Sequence, residues 1–316
     1  MSILILVNDP SALDPTQTTT ALVRACAQQA ETLVAGCTGL SAAGAGVTVR
    51  CRTVHAHGTP GPWRVVGHDE LEAVLVRANP VSQERPWAWA HALVCLQRLE
   101  DLGVDVRNGA AALARFAGKP GLLWLPPSVR PPTVLTGNAV VARQAIEDFG
   151  RSVVKPAHGS QGKGVFIVTP EQDNLGATFD LLLESGPVIV QPWLRAAVDG
   201  DVRVFVHDGR VFEVDGAVAA IRRRPAVGEL RSNVHLGGSP EPTILDGPLR
   251  QLVAEAATAL QAQGVRFAGL DCIGDALVEV NVCAPGGLPD MGRAYGVDFV
   301  TAWVAELLTR SPEATP

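Results

Sequence analysis

The chain has 316 residues, 47% of them hydrophobic, enough to bury a large core, and at roughly 100 to 200 residues per domain it implies two or three lobes. Its 26 basic and 32 acidic residues leave a formal charge of -6 with no basic block, which argues against a nucleic-acid or anionic-membrane surface and for small-molecule chemistry. No segment approaches the roughly 18 apolar residues of a membrane span.

The first third alternates strand and helix. Residues 3–7 (ILILV) form an apolar strand, too short and without the basic flank of a signal peptide. A helix led by Thr18 is expected over residues 18–34, followed by strands in VTVRCRTV and EAVLVR, a helix over residues 87–102, and a strand in VDVRN. No GxGxxG follows the first strand, so dinucleotide binding has little support, and Gly39, Gly44 and Gly46 lie in a Gly/Ala stretch expected to be a linker. Ala88, Ala90 and Ala92 suit a core face or a subunit interface equally.

Pro126, Pro127, Pro131 and Pro132 exclude regular helix and central strand, which places a lobe boundary near them. Beyond it, SVVKP, a Gly-rich loop, GVFIV, a helix and PVIVQPWL read as a small α+β lobe. Asp208-Gly209, inside DVRVFVHDGRVFEV, is a hairpin signal. An Arg cluster, a helix over residues 248–263, and the strand pair FAGLDCIGD and ALVEVNV follow. Cys26, Cys37, Cys51, Cys95, Cys272 and Cys283 form no CxxC pair, so reduced thiols and a cytoplasmic location are expected.

Three sites carry chemistry. In HGSQGKG, residues 158–164, the glycines let the backbone approach a phosphate chain with bare N–H donors. Ala157 and the lack of Ser or Thr after Lys163 rule out a Walker A loop, His158 rules out a nucleophile elbow, and a plain hairpin turn is the alternative. Lys155, just before the loop, is a compact cation suited to phosphate oxygens.

Glu279 and Asn281 share one strand face by alternation, and with Asp271 they make an oxygen set suited to Mg²⁺. Register decides whether Asp271 joins them. A loop at residues 274–276 sets it opposite Glu279, whereas a two-residue turn sends it to the other face. Arg203, Arg223 and Arg231 lie on or beside strands of the same lobe, where guanidinium forks bind carboxylate or stabilise a transferring phosphoryl group. Arg222 and Arg224 are read as the outward-facing alternates.

Taken in order, RANP at Arg77, KPAHGSQGKGVF at Lys155, VQPWL around Gln191, DGDVRVFVHDG at Asp199, RRRPAVGELRSNVHLGG at Arg222 and GLDCIGDALVEVNVCAPGG at Gly269 form a set. From Arg107 onward, and more weakly before it, the chain resembles bacterial glutathione synthetase and its ATP-grasp relatives. The resemblance implies an α/β protein of the ATP-grasp fold. Residues 1–112 would be a Rossmann-like pre-ATP-grasp lobe, 113–190 a lid and 191–316 the catalytic subdomain, the last two being α+β lobes that clamp ATP.

It also implies residue roles. Lys119 and Lys155 would contact ATP phosphates, and the loop with Gly159, Ser160, Gln161, Gly162 and Gly164 would cover them. Gln191, Pro192, Trp193 and Leu194 would be the adenine hinge, with Asp201 on the ribose. Pro192 lacks an N–H, which is tolerable where its carbonyl accepts from the adenine amino group and the Leu194 N–H donates to the ring. Asp271, Glu279 and Asn281 would hold two Mg²⁺ ions, with Mn²⁺ as a substitute. Arg203, Arg223, Arg231 and Asn233 would position an acyl phosphate and substrate carboxylates.

The implied activity is an ADP-forming, ATP-dependent carboxylate–amine ligase acting on amino-acid or peptide substrates, with γ-glutamylcysteine and glycine as the first guess and a homodimer or homotetramer as the assembly. Cys283 is expected to pack rather than react. The chain reads Ala284-Pro285-Gly286-Gly287-Leu288 where glutathione synthetase has Ser-Pro-Thr, nearer the Pro-Gly turn of RimK-type ligases. Two other readings stand beside the first: a ligase for another peptide or natural-product pair, and a nucleotide-binding ATP-grasp protein without catalysis.

Overall fold

The structure is a computed structural model that describes residues 2–83, 85–159, 163–225 and 239–309. Ser160, Gln161, Gly162, Arg231 and Asn233 lie outside the described residues. Among those described, no helix is long and apolar enough to cross a membrane.

The N-terminal sheet has seven strands. β1 (Ser2–Leu6), α1 (Thr18–Gln29), β2 (Glu31–Ala35), β3 (Leu40–Ala43), β4 (Gly46–Val54), β5 (Pro60–Gly67), β6 (Ala73–Val76), α2 (Ala88–Asp101), β7 (Asp105–Arg107) and α3 (Ala110–Phe116) succeed one another. β2, β1, β6 and β7 run parallel in that order, while β3, β4 and β5 extend the sheet antiparallel beyond β2.

Two expectations change here. The first helix stops at Gln29, and residues 31–34, expected to be helical, lie in the strand Glu31–Ala35, which pairs along its whole length with β1 and buries its last four residues. Tertiary pairing overrides the helical period. The stretch expected to be a linker is instead the antiparallel pair of β3 and β4. On α2, Ala88 and Ala92 are buried in the core while Ala90 is exposed.

The second sheet is antiparallel, in the order β10-β9-β11-β8, from β8 (Val134–Thr136), β9 (Ser152–Pro156), β10 (Phe166–Val168) and β11 (Val188–Pro192). Helices α4 (Ala139–Phe149) and α5 (Leu175–Leu183) pack on it, and Ile146, Phe179 and Leu182 meet Val154, Val188 and Val190 in a core of their own.

The third sheet has the order β17-β16-β12-β18-β19, with β13 beside β12. Its parts are β12 (Asp201–His207), β13 (Arg210–Val211), β16 (Ala220–Arg224), β17 (Ser239–Pro242), β18 (Phe267–Ile273) and β19 (Ala276–Asn281), with β14 (Glu213–Val214) and β15 (Ala217–Val218) forming a small ribbon. Asp208 and Gly209, at φ 44 and 73, make the expected tight hairpin between β12 and β13.

Alternation along β12 sorts the two faces. Val202, Val204 and Val206 join Leu249 and Val253 of α6 (Gly247–Ala262) in a core continuous with the N-terminal sheet. Phe205 faces Phe299 and Trp303 of α8 (Phe299–Leu308), next to α7 (Leu288–Tyr295), in a second shared core. Asp201 and Arg203 lie on that second face, beyond the aromatic cluster.

Candidate active site

The metal-site residues reach one face through a backbone irregularity. Ile273 pairs with Ala276, so β18 and β19 are joined by a two-residue turn. A regular ladder from that turn sets Asp271 opposite Val278. A bulge at Val278 adds one residue, after which Asp271 pairs with Glu279 and Gly269 with Asn281. Asp271, Glu279 and Asn281 therefore share a face, although the turn is the shorter of the two considered from sequence.

β12 and β16 bring the arginines to the same face. Arg203 pairs with Asp271 across the ladder, and Asp201 with Arg223. The Arg203 Nε donates to Asp271 Oδ1 and its Nη2 to Oδ2 at 2.8 Å. Arg223 donates twice to Asp201, both at 2.6 Å, and its Nη2 lies 3.0 Å from Asp271 Oδ1. Burial opposes ionisation of Asp271, but Arg203 and Arg223 win and hold its carboxyl at about 2. Burial likewise opposes the Arg223 charge, and Asp271 and Asp201 together raise its pKa nonetheless.

Asp201 thus anchors Arg223, a role not read from sequence. Gly200 makes this possible. Its φ is 86, and a Cβ there would lie 2.0 Å from the Arg223 carbonyl oxygen. Arg222 and Arg224 turn to the other side, where they meet the Asp199 carbonyl and Glu241.

Two lysines approach the same edge, and only Lys155 comes from the second sheet. Lys155, on β9, donates to the carbonyl of the bulged Val278 at 3.4 Å. Burial pushes its ammonium down to about 8, an effect Lys119 reinforces and Glu279 and Asp271 oppose. Lys119 opens a 3-10 turn at Lys119–Trp124 and donates to the Gly159 carbonyl at 2.7 Å, which fastens the glycine loop. Gln191 is buried at the end of β11 with its amide on the Thr133 hydroxyl at 2.9 Å. The Trp193 N–H donates to the Arg151 carbonyl at 2.8 Å, and the Arg151 guanidinium lies 3.9 Å over the Trp193 ring. The Leu194 N–H has no acceptor among the described residues.

These groups fit a polyphosphate and a hard cation. Lys155 is a buried ammonium whose one hydrogen bond is long and goes to a neutral carbonyl, so an anion would complete it. Glu279 and Asn281 line a cavity with Lys119, Gly159 and Asn79, and Glu279 makes no ion pair among the described residues. The Asn281 amide N–H reaches Asp271 Oδ2 at 3.4 Å, which leaves its oxygen available. No group of three or more His, Cys, Asp or Glu gathers among the described residues, so the oxygen set depends on the amide of Asn281.

Two residues outside the expected set build the site from behind. Asn108, at φ 57 after β7, donates to the carbonyls of Phe267 and Val282 at 2.8 and 3.0 Å. Its oxygen accepts from Arg266 N and Phe267 N, so one amide ties the outer ends of β18 and β19 to the N-terminal sheet. Arg77, 2% exposed at the end of β6, donates to the Pro285 carbonyl at 2.9 Å, while the Arg203 Nη1 donates to the Gly286 carbonyl at 3.1 Å. Tolerance of positive φ by Asn is the only sequence signal for the first; the second stands in RANP, where nothing marks its burial.

Comparison with known proteins runs along the same residues. Residues 121–296 match the family described as prokaryotic glutathione synthetase, ATP-grasp domain. The glutathione synthetase of Prochlorococcus marinus (strain MIT 9313) is 32% identical over 315 residues, 96% of this chain and 98% of its own. That of Parasynechococcus marenigrum (strain WH8102) is 34% identical over 247 residues, 74% of this chain and 76% of its own. In fold, the chain is similar to D-cycloserine synthetase DcsG, with a TM-score of 0.64 at 18% identity over 96% of this chain and 99% of that one.

A second antiparallel sheet whose lysine meets the bulged edge of an acid and guanidinium sheet is thus the ATP-grasp fold, and the class is that of ATP-dependent carbon–nitrogen ligases. Within that class the chain belongs to the prokaryotic glutathione synthetase family, which uses ATP and a divalent metal.

Proposed function

We propose that the protein phosphorylates a substrate carboxylate with ATP and Mg²⁺ and joins the activated acyl group to an amine, with γ-glutamylcysteine and glycine as the first pair to test. The observation that carries this reading is the approach of Lys155 to the bulge at Val278, which brings the lid cations beside Glu279 and Asn281. In this reading a carboxylate oxygen attacks the γ-phosphorus and ADP leaves. The amine nitrogen then attacks the acyl carbon, phosphate leaves, and the amine proton passes to solvent.

Lys119 and Lys155 hold phosphate oxygens, with the loop at Gly159, Ser160, Gln161, Gly162 and Gly164 as their cover. Gln191, Pro192, Trp193 and Leu194 receive the adenine. Asp271, Glu279 and Asn281 are the oxygen ligands of two Mg²⁺ ions, for which Mn²⁺ substitutes. When bound, the metal neutralises phosphate charge and polarises the transferred group. Arg203 and Arg223 are already fixed by Asp271 and Asp201, so they stabilise developing negative charge without reorganising. Arg231 and Asn233 take substrate carboxylates. A protein nucleophile is not required, and burial pushes the Cys283 thiol up to about 12, which suits packing.

A second reading keeps the chemistry and changes a substrate. The turn at Pro285, Gly286 and Gly287 favours it, because Arg77 and Arg203 both hold its carbonyls and so fix an acceptor wall of their own. ADP and phosphate release with ATP and Mg²⁺ separates the readings. Release that needs γ-glutamylcysteine and glycine together supports the first pair. Release with another acid or amine reassigns the substrates. Nucleotide binding without release for any pair removes the catalytic reading.

A further inference from the structure

The ladder between β18 and β19, the strands that carry Asp271, Glu279 and Asn281, stops at the pair of Gly269 with Asn281. Past that pair the two strands are joined by a side chain from the N-terminal sheet. Asn108 is fully buried, and its Nδ2 donates to the carbonyls of Phe267 at 2.8 Å and Val282 at 3.0 Å. Its Oδ1 accepts from the N–H groups of Arg266 at 2.7 Å and Phe267 at 3.0 Å. Both donors and both acceptor positions of the amide are used, and every partner is backbone. An aspartate of the same length lacks the donors. The φ of 57 at this position is one that asparagine tolerates better than most residues.

Two features connect this clamp to the site. The first is the bulge at Val278. Without it, the two-residue turn would set Glu279 opposite Leu270 and Asn281 opposite Ala268, on the apolar face of the sheet. The turn therefore does not fix where the residues beyond the bulge lie. Val282 directly follows Asn281, so the bond to its carbonyl holds the bulged register from the end opposite the turn. The second feature is that Asn108 joins two walls of one cavity. The chain runs from Asn108 through α3 to Lys119, and Phe116 and Lys119 line the same cavity as Glu279, Asn281 and Val282.

We propose that Asn108 is a positioning residue for the divalent metal, its amide holding the end of β19 so that the oxygens of Glu279 and Asn281 keep a set spacing from Asp271 and Lys119. The proposal rests on the ligase reading above, which gives those oxygens to Mg²⁺. It locates a determinant of metal affinity at the edge of the N-terminal sheet, outside the family-matched residues 121–296. A ligand set held a fraction of an ångström out of place binds its ion less well, although every ligand is still present.

The test uses the full chain and the non-hydrolysable nucleotide AMPPNP. Titration calorimetry measures AMPPNP affinity in Mn²⁺ and in EDTA, and the ratio of the two is the metal-dependent gain. Asn108→Gly accepts the left-handed backbone and deletes all four bonds. Asn108→Asp keeps the two bonds that Oδ1 accepts and sets an acceptor against the Phe267 and Val282 carbonyls. Each variant is expected to lower the gain by about tenfold, the scale on which groups behind metal ligands act. Metal-free AMPPNP affinity should stay within about twofold, because the nucleotide contacts are untouched. Phe267→Ala, destabilised through the aromatic core, is the control and should keep the native gain. In turnover, the same loss should raise the Mg²⁺ requirement and leave the KM of the acid and amine unchanged.

A native gain in both Asn108 variants, whatever their melting temperatures, makes Asn108 a structural strut and overturns the proposal. Failure of both variants to fold does the same. An equal loss in Phe267→Ala also overturns it, since general destabilisation then accounts for the effect. Failure of the metal reading beneath it is distinct, because it shows before any substitution, as a native AMPPNP affinity that ignores Mn²⁺, and it removes both.

Discussion

One face of the third sheet has two ends that β12 and β18 build differently. At one end Phe205 and Phe267 stand edge-on to Trp303, with ring centroids 5.1 and 4.9 Å away. At the other, Arg203 and Asp271 occupy the same face of the same strands as an ion pair. Alternation alone does not tell core from site; what covers the face does. α8 caps the aromatic end, whereas Lys155 of the second sheet and the Pro285-Gly286-Gly287 turn border the charged end. Gly269 is the joint, since a Cβ there would lie 3.1 Å from Pro285 Cβ and 3.3 Å from Arg203 Cδ. Polar groups fare accordingly. Among the described residues the Trp303 indole N–H and His207 Nε2 have no hydrogen-bond partner, while Asp201 and Asp271 are each gripped by guanidinium groups.

Removing a charge at the charged end should have the largest effect. Asp271→Asn leaves Arg203 and Arg223 short of an anion and takes an oxygen ligand from the proposed metal site. Turnover is expected to fall by about 10³-fold, and stability by about 3–5 kcal/mol, the cost of breaking a buried pair. ADP release and urea midpoints measure the two. A variant with near-native turnover would mean that this end is a structural ion cluster like any other.

Phe267→Ala should match that stability loss without the loss of chemistry. Truncating a fully buried aromatic ring costs about 3–5 kcal/mol. Below its melting temperature, the folded variant is expected to keep its Michaelis constants within about twofold, because Asp271 lies two alternate positions away on the same strand. Kinetics at low temperature beside urea midpoints check this. Changed constants would show that the two ends are coupled.

Acid should separate the ends by pH. Burial lowers the His207 pKa despite Asp208 and Glu306, with Arg266 adding to the decrease and Arg210 on the far side of Glu306. The folded state therefore prefers neutral His207, and the unfolded chain binds more protons in this range, so stability is lost as pH falls below about 6.5. Asp271, held at about 2, contributes stability that is fully present above about 4 and is lost only as pH falls towards 2. Melting curves should slope between pH 7 and 5 in the native protein, flatten there in His207→Gln, and remain unchanged there in Asp271→Asn. An equal slope in all three would remove His207 from the acid response.

Much of the charged end is legible in sequence because alternation and residue type are enough to find it. Glu279 and Asn281 bracket Val280, Arg223 sits between two outward arginines, and Lys155 precedes a glycine loop. The parts that are not legible are backbone events and long-range pairings. Val278 is an ordinary strand residue, so nothing marks it as the bulge that turns Asp271 towards Glu279. Glu31–Ala35 continues the apolar period of α1 without a Gly or Pro break, and only its pairing with β1 makes it a strand. β5 carries Pro60 and Pro62 and is tolerated because it is paired on one side alone, by β4. The ion pairs of Asp201 and the burial of Arg77 depend on contacts with residues 22 and 208 positions away.

The smallest expected effect lies one residue from one of the largest. Arg224 follows Arg223 on β16 and pairs with Glu241 at 2.8 Å, but both side chains are nearly half exposed, 49% and 44%. Water and salt screen that pair, and holding two long side chains in one geometry offsets most of its attraction. Arg224→Ala should leave the melting temperature within about a degree and turnover unchanged. Arg223→Ala, with the same deletion one position earlier, should lower turnover by about 10²-fold because it releases both Asp201 and Asp271. The same residue type on the same strand then differs only in the face it takes. Comparable losses from the two variants would show that β16 acts through its backbone rather than through the charged end it presents.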